Sequence, residues 1–147
     1  MQSKLSRILV GVDGSPASLG AAEFAISLAR KDGAGIYAVN VIHIPAPSIV
    51  FYGRDAFEDY LKKRRKEADG WLARAAQEAS AQGLAVSTEV LEGYQSVPKS
   101  IIDFAEERKA DLIVVGSRGM TGFQRLLLGS TALALVTYSP LPVMVTR

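Results

Sequence analysis

Leu112-Ile-Val-Val-Gly-Ser-Arg-Gly-Met-Thr-Gly-Phe-Gln-Arg-Leu-Leu-Leu-Gly-Ser-Thr131 contains three kinds of chain in succession. Its first four residues are uninterrupted apolar and mostly β-branched, the pattern of a strand buried on both faces, as in a parallel sheet. Gly116 and Gly119 then break the run and permit turns that other residues resist. Gly129-Ser130-Thr131 has the composition of a helix start. A buried strand that passes through a glycine-rich loop into a helix is part of a βαβ unit, so the rest of the chain is read outward for the same alternation.

Upstream, Ile8-Leu-Val-Gly-Val12 is a short apolar run closed by Asp13-Gly-Ser-Pro16. Ser15 suits the cap of the following helix and Pro16 its first position. Leu19, Ala22, Ile26 and Ala29 then recur at helical spacing until Gly33 and Gly35. Ile36 to Ile42 reads as a second buried strand. A helix is predicted over 57–82, with Phe57, Leu61, Ala68, Trp71, Leu72, Ala75 and Ala79 on its apolar face. Gly70 within it costs about 1 kcal/mol relative to alanine. Leu84 to Leu91 reads as a strand and Ser96 to Lys109 as a helix with Ile101, Ile102 and Ala105 inward. Downstream of the opening stretch come a helix over 130–138 and a strand over 143–146. Five strands alternating with four helices imply right-handed crossovers and an α/β, Rossmann-like domain over residues 1–147. The expected doubly wound parallel sheet has the order 3-2-1-4-5, with helices on both faces.

The chain has 147 residues, no cysteine and 17 basic against 15 acidic side chains. Those values fit one domain, exclude disulfides and thiolate metal sites, and offer no strong field toward nucleic acid or anionic lipid. Asp13 arrives too early for a signal peptide's apolar core, and no apolar run is long enough to span a membrane. A cytoplasmic location, with neither nucleic acid nor membrane as partner, is the expectation.

In a doubly wound sheet the ligand crevice lies beyond the carboxyl ends of the strands, where strand order reverses, here between the first and fourth. The loops leaving those strands are Gly11-Val-Asp-Gly-Ser15 and Gly116-Ser-Arg-Gly119, both rich in glycine. Gly116 is expected to leave room for a sugar. The helix opening at Gly129-Ser130-Thr131 offers free N–H groups, a positive dipole end and two hydroxyls to an anion. Neither the lysine of a GxxxxGK[ST] loop nor a GxGxxG fingerprint is present.

The spacing Gly116-x2-Gly119-x9-Gly129-Ser130 resembles the nucleotide motif of the universal stress protein family, G-x2-G-x9-G-[ST]. The resemblance extends through Ala110-Asp-Leu-Ile-Val-Val-Gly116 and the closing Pro-Leu-Pro-Val-Met-Val. It implies that Asp13 lies near adenine and ribose and that the Val41 backbone meets the adenine edge. Val115 and Gly116 would border the ribose, and Gly119, Gly129, Ser130 and Thr131 would surround the phosphates. Gly11 and Val12 stand where some relatives have other residues. The implied ligand is ATP, with or without Mg, with ADP or AMP as alternatives. The implied role is a stress-response or signalling module acting through an unidentified protein partner. Homodimerisation through the last strand, at Val143 and Val145, agrees with its uncharged edge.

Plainer readings stand beside these. Asp13 can cap a helix, and Val41 is by periodicity a core strand residue. Lys62-Lys-Arg-Arg-Lys66 is flanked by acids and reads as a solvated helix face. His43 has no companion for a metal site or a nucleophile, and residues 44–55 read either as a lid or as a loop packed on the sheet end. No dedicated catalytic or metal-binding set is apparent. That leaves slow ATP hydrolysis and a nucleotide-free dimeric interaction protein as the alternatives. If the motif reading holds, Gly116→Val and Gly129→Val should abolish nucleotide binding and leave the fold intact.

Overall fold

The computed structural model describes residues 4–45, 48–118 and 128–147. In chain order the elements are β1 (Arg7–Gly11), α1 (Pro16–Asp32), β2 (Gly35–His43), α2 (Ser48–Tyr52) and α3 (Arg54–Ala81). They continue with β3 (Val86–Gly93), α4 (Val97–Glu107), β4 (Leu112–Gly116), α5 (Ser130–Tyr138) and β5 (Val143–Thr146). Every strand pair is parallel and the order is β3-β2-β1-β4-β5, as the alternation predicts.

Alternating side chains divide the core between the two faces of the sheet. Ile8 and Val10 of β1 meet α1 and α3, where Ala21, Ala22, Ala25, Ile26, Leu72 and Ala75 are buried. Leu9 between them meets α4 and α5 through Ile101, Phe104, Ala105, Ala132 and Leu135. The alanine stripe of α1 lets that helix lie close to the sheet. Two helices begin with the predicted chemistry: the Ser15 hydroxyl accepts the Ser18 N–H at 3.1 Å, and the Ser96 hydroxyl accepts the Lys99 N–H at 3.3 Å. Ser96 is therefore the cap of α4 rather than its first helical residue.

Three boundaries differ from expectation for identifiable reasons. Leu84 remains in the turn that closes α3, donating its N–H to the Ala79 carbonyl at 2.9 Å while its side chain joins the core, so β3 begins later, at Val86. The α3 helix starts at Arg54 and runs through Gly70, because Ala68, Leu72, Ala75 and Ala79 bury its inner stripe and outweigh one glycine. Part of residues 44–55 forms the additional helix α2, where Val50, Phe51 and Tyr52 are all about three-quarters exposed.

The outer side of α3 is pinned to the end of β3. Arg65 forks onto Glu92 with 2.6 Å contacts to each carboxylate oxygen. These bonds hold the Glu92 carboxyl below its ordinary range and raise the guanidinium of Arg65. Arg64 pairs with Glu67 at 3.2 Å, so the basic run is partly neutralised within the fold.

Candidate functional site

β1 and β4 are neighbours whose following segments diverge, one toward β2 and the other toward β5, which opens a crevice at their carboxyl ends. The loop after β1 is tightly ordered. Asp13 accepts the Ser15 N–H at 2.9 Å, its own N–H reaches the Ser18 hydroxyl at 3.2 Å, and Ser15 caps α1. Asp13 thus forms the turn before the helix, and the capping role belongs to Ser15. The Ser15 hydroxyl also reaches the Arg118 carbonyl at 3.4 Å, linking the two crevice loops.

Across the crevice, the Ser117 N–H donates to the Thr146 carbonyl and the Gly129 N–H to the Ser117 carbonyl, each at 2.6 Å. These bonds bring the start of α5 against the end of β4. Gly129 occupies the cap position in extended backbone with no side-chain cap, and the first bond of the helix runs from the Leu133 N–H to the Gly129 carbonyl. Among the described residues no acceptor takes the N–H groups of the first turn, which holds Ser130 and Thr131, and such groups suit an outside acceptor. Gly119, the middle glycine of the motif, lies outside the described residues.

Val41 has a feature that periodicity did not reveal. Val12 donates to the Val39 carbonyl at 2.8 Å, and the β1–β2 ladder ends at the Gly11–Val39 pair. By strand alternation, the Val41 N–H and carbonyl point to the same side as those of Val39, past the end of β1. Among the described residues they are a donor and an acceptor with no ladder partner there, while the Val41 side chain packs against the cluster on the α4/α5 face that includes Val115. A Cβ added to Gly11 would stand 3.5 Å from Val115 Cγ1 and 3.6 Å from Ile101 Cδ1, placing Gly11 on that face as well. Val12 points the other way and is buried against α1 and α3.

Gly116 requires a correction. A Cβ there would lie 2.6 Å from the Ala17 carbonyl carbon and 2.8 Å from Ala17 Cβ. Its missing side chain therefore admits the first turn of α1. Gly116→Val cannot leave the fold intact, which leaves Gly129→Val as the probe of the site.

Sequence reasoning missed two residues behind the crevice. Asn40, buried on β2, donates through Nδ2 to the Val12 carbonyl at 2.7 Å. Trp71 of α3 lies against Gly14, where a Cβ would come within 2.6 Å of both Cζ2 and Nε1 of the indole. Sequence gives no signal for either contact, because both pair residues distant along the chain.

Elsewhere, the exposed His43 bonds through Nδ1 to the Gln95 carbonyl at 2.8 Å, and the described residues hold no cluster of three or more potential metal ligands. None of the described helices is long and apolar enough to cross a membrane.

Residues 4–147 match the Universal stress protein family. The chain is 35% identical to universal stress protein MJ0531 of Methanocaldococcus jannaschii over 141 residues, covering 96% of this chain and 81% of that protein. Universal stress protein UspA from Lactobacillus plantarum superposes with a TM-score of 0.86 at 25% identity, covering 99% of this chain and 100% of that one. A universal stress protein solved in complex with cAMP superposes with a TM-score of 0.69 at 26% identity, covering 99% of this chain and 98% of the other. By sequence, strand order and full-length superposition, this chain belongs to the universal stress protein family.

Proposed function

We propose that the chain is an adenine-nucleotide-binding module whose ligand lies across the ends of β1 and β4. The observation that carries this reading is the pairing of the free Val41 N–H and carbonyl with the uncapped start of α5. A donor–acceptor pair on an extended strand matches the edge of adenine, and helix N–H groups suit phosphate. The cAMP complex of a relative supports the same ligand class.

In this reading Gly11, Val12 and Asp13 border the base and ribose, with Val115 and Gly116 forming the strand-end wall. Gly119, Gly129, Ser130 and Thr131 surround the phosphates. ATP is the preferred ligand, with or without Mg, and ADP or AMP enter the same site. Residues 1–147 form one domain that works in the cytoplasm as a stress or signalling module, with nucleotide occupancy altering loop order and hence the binding of a protein partner.

The chain also forms a homodimer through β5. This strand pairs on one side only, with β4, and carries no charged residue from Val143 to Thr146. Leu133, Val136 and Tyr138 of α5 are exposed.

The test is to denature protein purified without added nucleotide, identify released ligand by mass spectrometry, and titrate emptied protein with ATP, ADP, AMP and cAMP. Stoichiometric ligand or a calorimetric binding curve is expected, and Gly129→Val should lose it without loss of fold. A wild-type protein that releases nothing and ignores all four nucleotides overturns the reading and leaves the nucleotide-free interaction protein.

A further inference from the structure

The loop between β1 and α1 is held from the side of the sheet opposite Val41 and Val115. Gly14 has φ +85°, a conformation that L side chains rarely adopt, and the space a side chain would take is filled by the edge of the Trp71 indole. Two residues earlier, the Asn40 amide fastens the Val12 carbonyl at 2.7 Å. Trp71 belongs to the core cluster beneath α1 and α3, whereas Val41 and Val115 belong to the cluster beneath α4 and α5. The indole therefore stands behind the loop, away from the residues facing the crevice.

We infer that Trp71 is a positioning residue for nucleotide binding, holding the Asp13–Ser15 turn in its binding geometry by filling the space behind Gly14. The inference rests on the reading of the crevice as a nucleotide site. A loop that has only its own hydrogen bonds must be ordered by the ligand, and that ordering subtracts from affinity. A rigid aromatic wall orders it beforehand. The ring is well suited to this because it is rooted in α3, which is fixed to the sheet by its buried stripe and by the Arg65–Glu92 pair.

Trp71→Leu should weaken ATP binding by about tenfold. Leu72→Ala loosens the same cluster from the neighbouring position, and it should lower Tm yet leave affinity within about twofold.

Hydrogen exchange on nucleotide-free protein supplies a readout independent of the ligand. The amides of residues 13–18 should exchange faster in Trp71→Leu than in Leu72→Ala. If wild type binds ATP and Trp71→Leu binds it equally well, the positioning role is overturned and the nucleotide reading stands. If wild type binds no nucleotide, the nucleotide reading fails and the positioning role falls with it. Exchange then decides only whether Trp71 holds the loop, and equal exchange in both variants overturns that as well.

Discussion

At the scale of single residues, the glycines of the crevice serve different ends that composition does not distinguish. Gly14 is needed for its positive φ and for the ring behind it, Gly116 for the close passage of α1, and Gly11 has only ordinary contacts around its open side. Gly116→Ala places a methyl group against the Ala17 backbone, which can move only by shifting α1. Such overpacking typically costs about 1–3 kcal/mol, and a chemical denaturation midpoint lowered to match is the expected result. An unchanged midpoint would mean that α1 lies farther from β4. The motif spacing made Gly116 visible in the sequence but not its contact with Ala17, which reaches it only after the sheet has formed. Ser15 was legible for a simpler reason: its partner Ser18 lies three residues on, where capping chemistry is local, whereas the same local reading made Asp13 a cap when it forms the preceding turn.

At the scale of elements, strands and long helices could be read because burial imposes a period on them. The run Leu112 to Val115 is buried throughout, and β5 has the predicted limits. Short or terminal structure was harder to read. The helix α2 has only five residues, too few to leave a periodic trace, and Leu84 looked like the start of a strand because a helix-closing turn also needs an apolar residue. The α3 helix offers a test of how packing outweighs propensity. Gly70 is exposed in mid-helix, and beyond its own helix backbone no described residue comes within 4 Å of a Cβ built there, so Gly70→Ala meets no obstruction. It should stabilise the protein by about 0.5–1 kcal/mol, read as a rise in Tm with unchanged helical circular dichroism. A fall in Tm would show that something outside the described residues occupies that face.

At the scale of the whole molecule, the two edges of the sheet differ. β3 exposes Ser87, Thr88, Glu89 and Glu92, and its last turn is held to α3 by Arg65. β5 has no such guard, and α5 adds exposed apolar side chains beside it. For the proposed dimer, Val143→Asp or Val145→Asp should convert the sedimenting species to monomer at micromolar concentration while circular dichroism stays native, because a carboxylate on the edge strand opposes pairing with a second copy; both side chains also lean on the α4/α5 cluster, so Tm should fall as well. A dimer unaffected by both changes would place the interface elsewhere.

The contrast between the edges also limits how far assembly can go. When two copies meet across a twofold axis, each uses its β5 edge on the other, and what remains outward is a carboxylate-bearing edge at either end. Such a pair has no sticky end left to offer a third copy. Association should therefore stop at two as concentration rises, rather than growing into the fibres that a sheet open on both sides would seed.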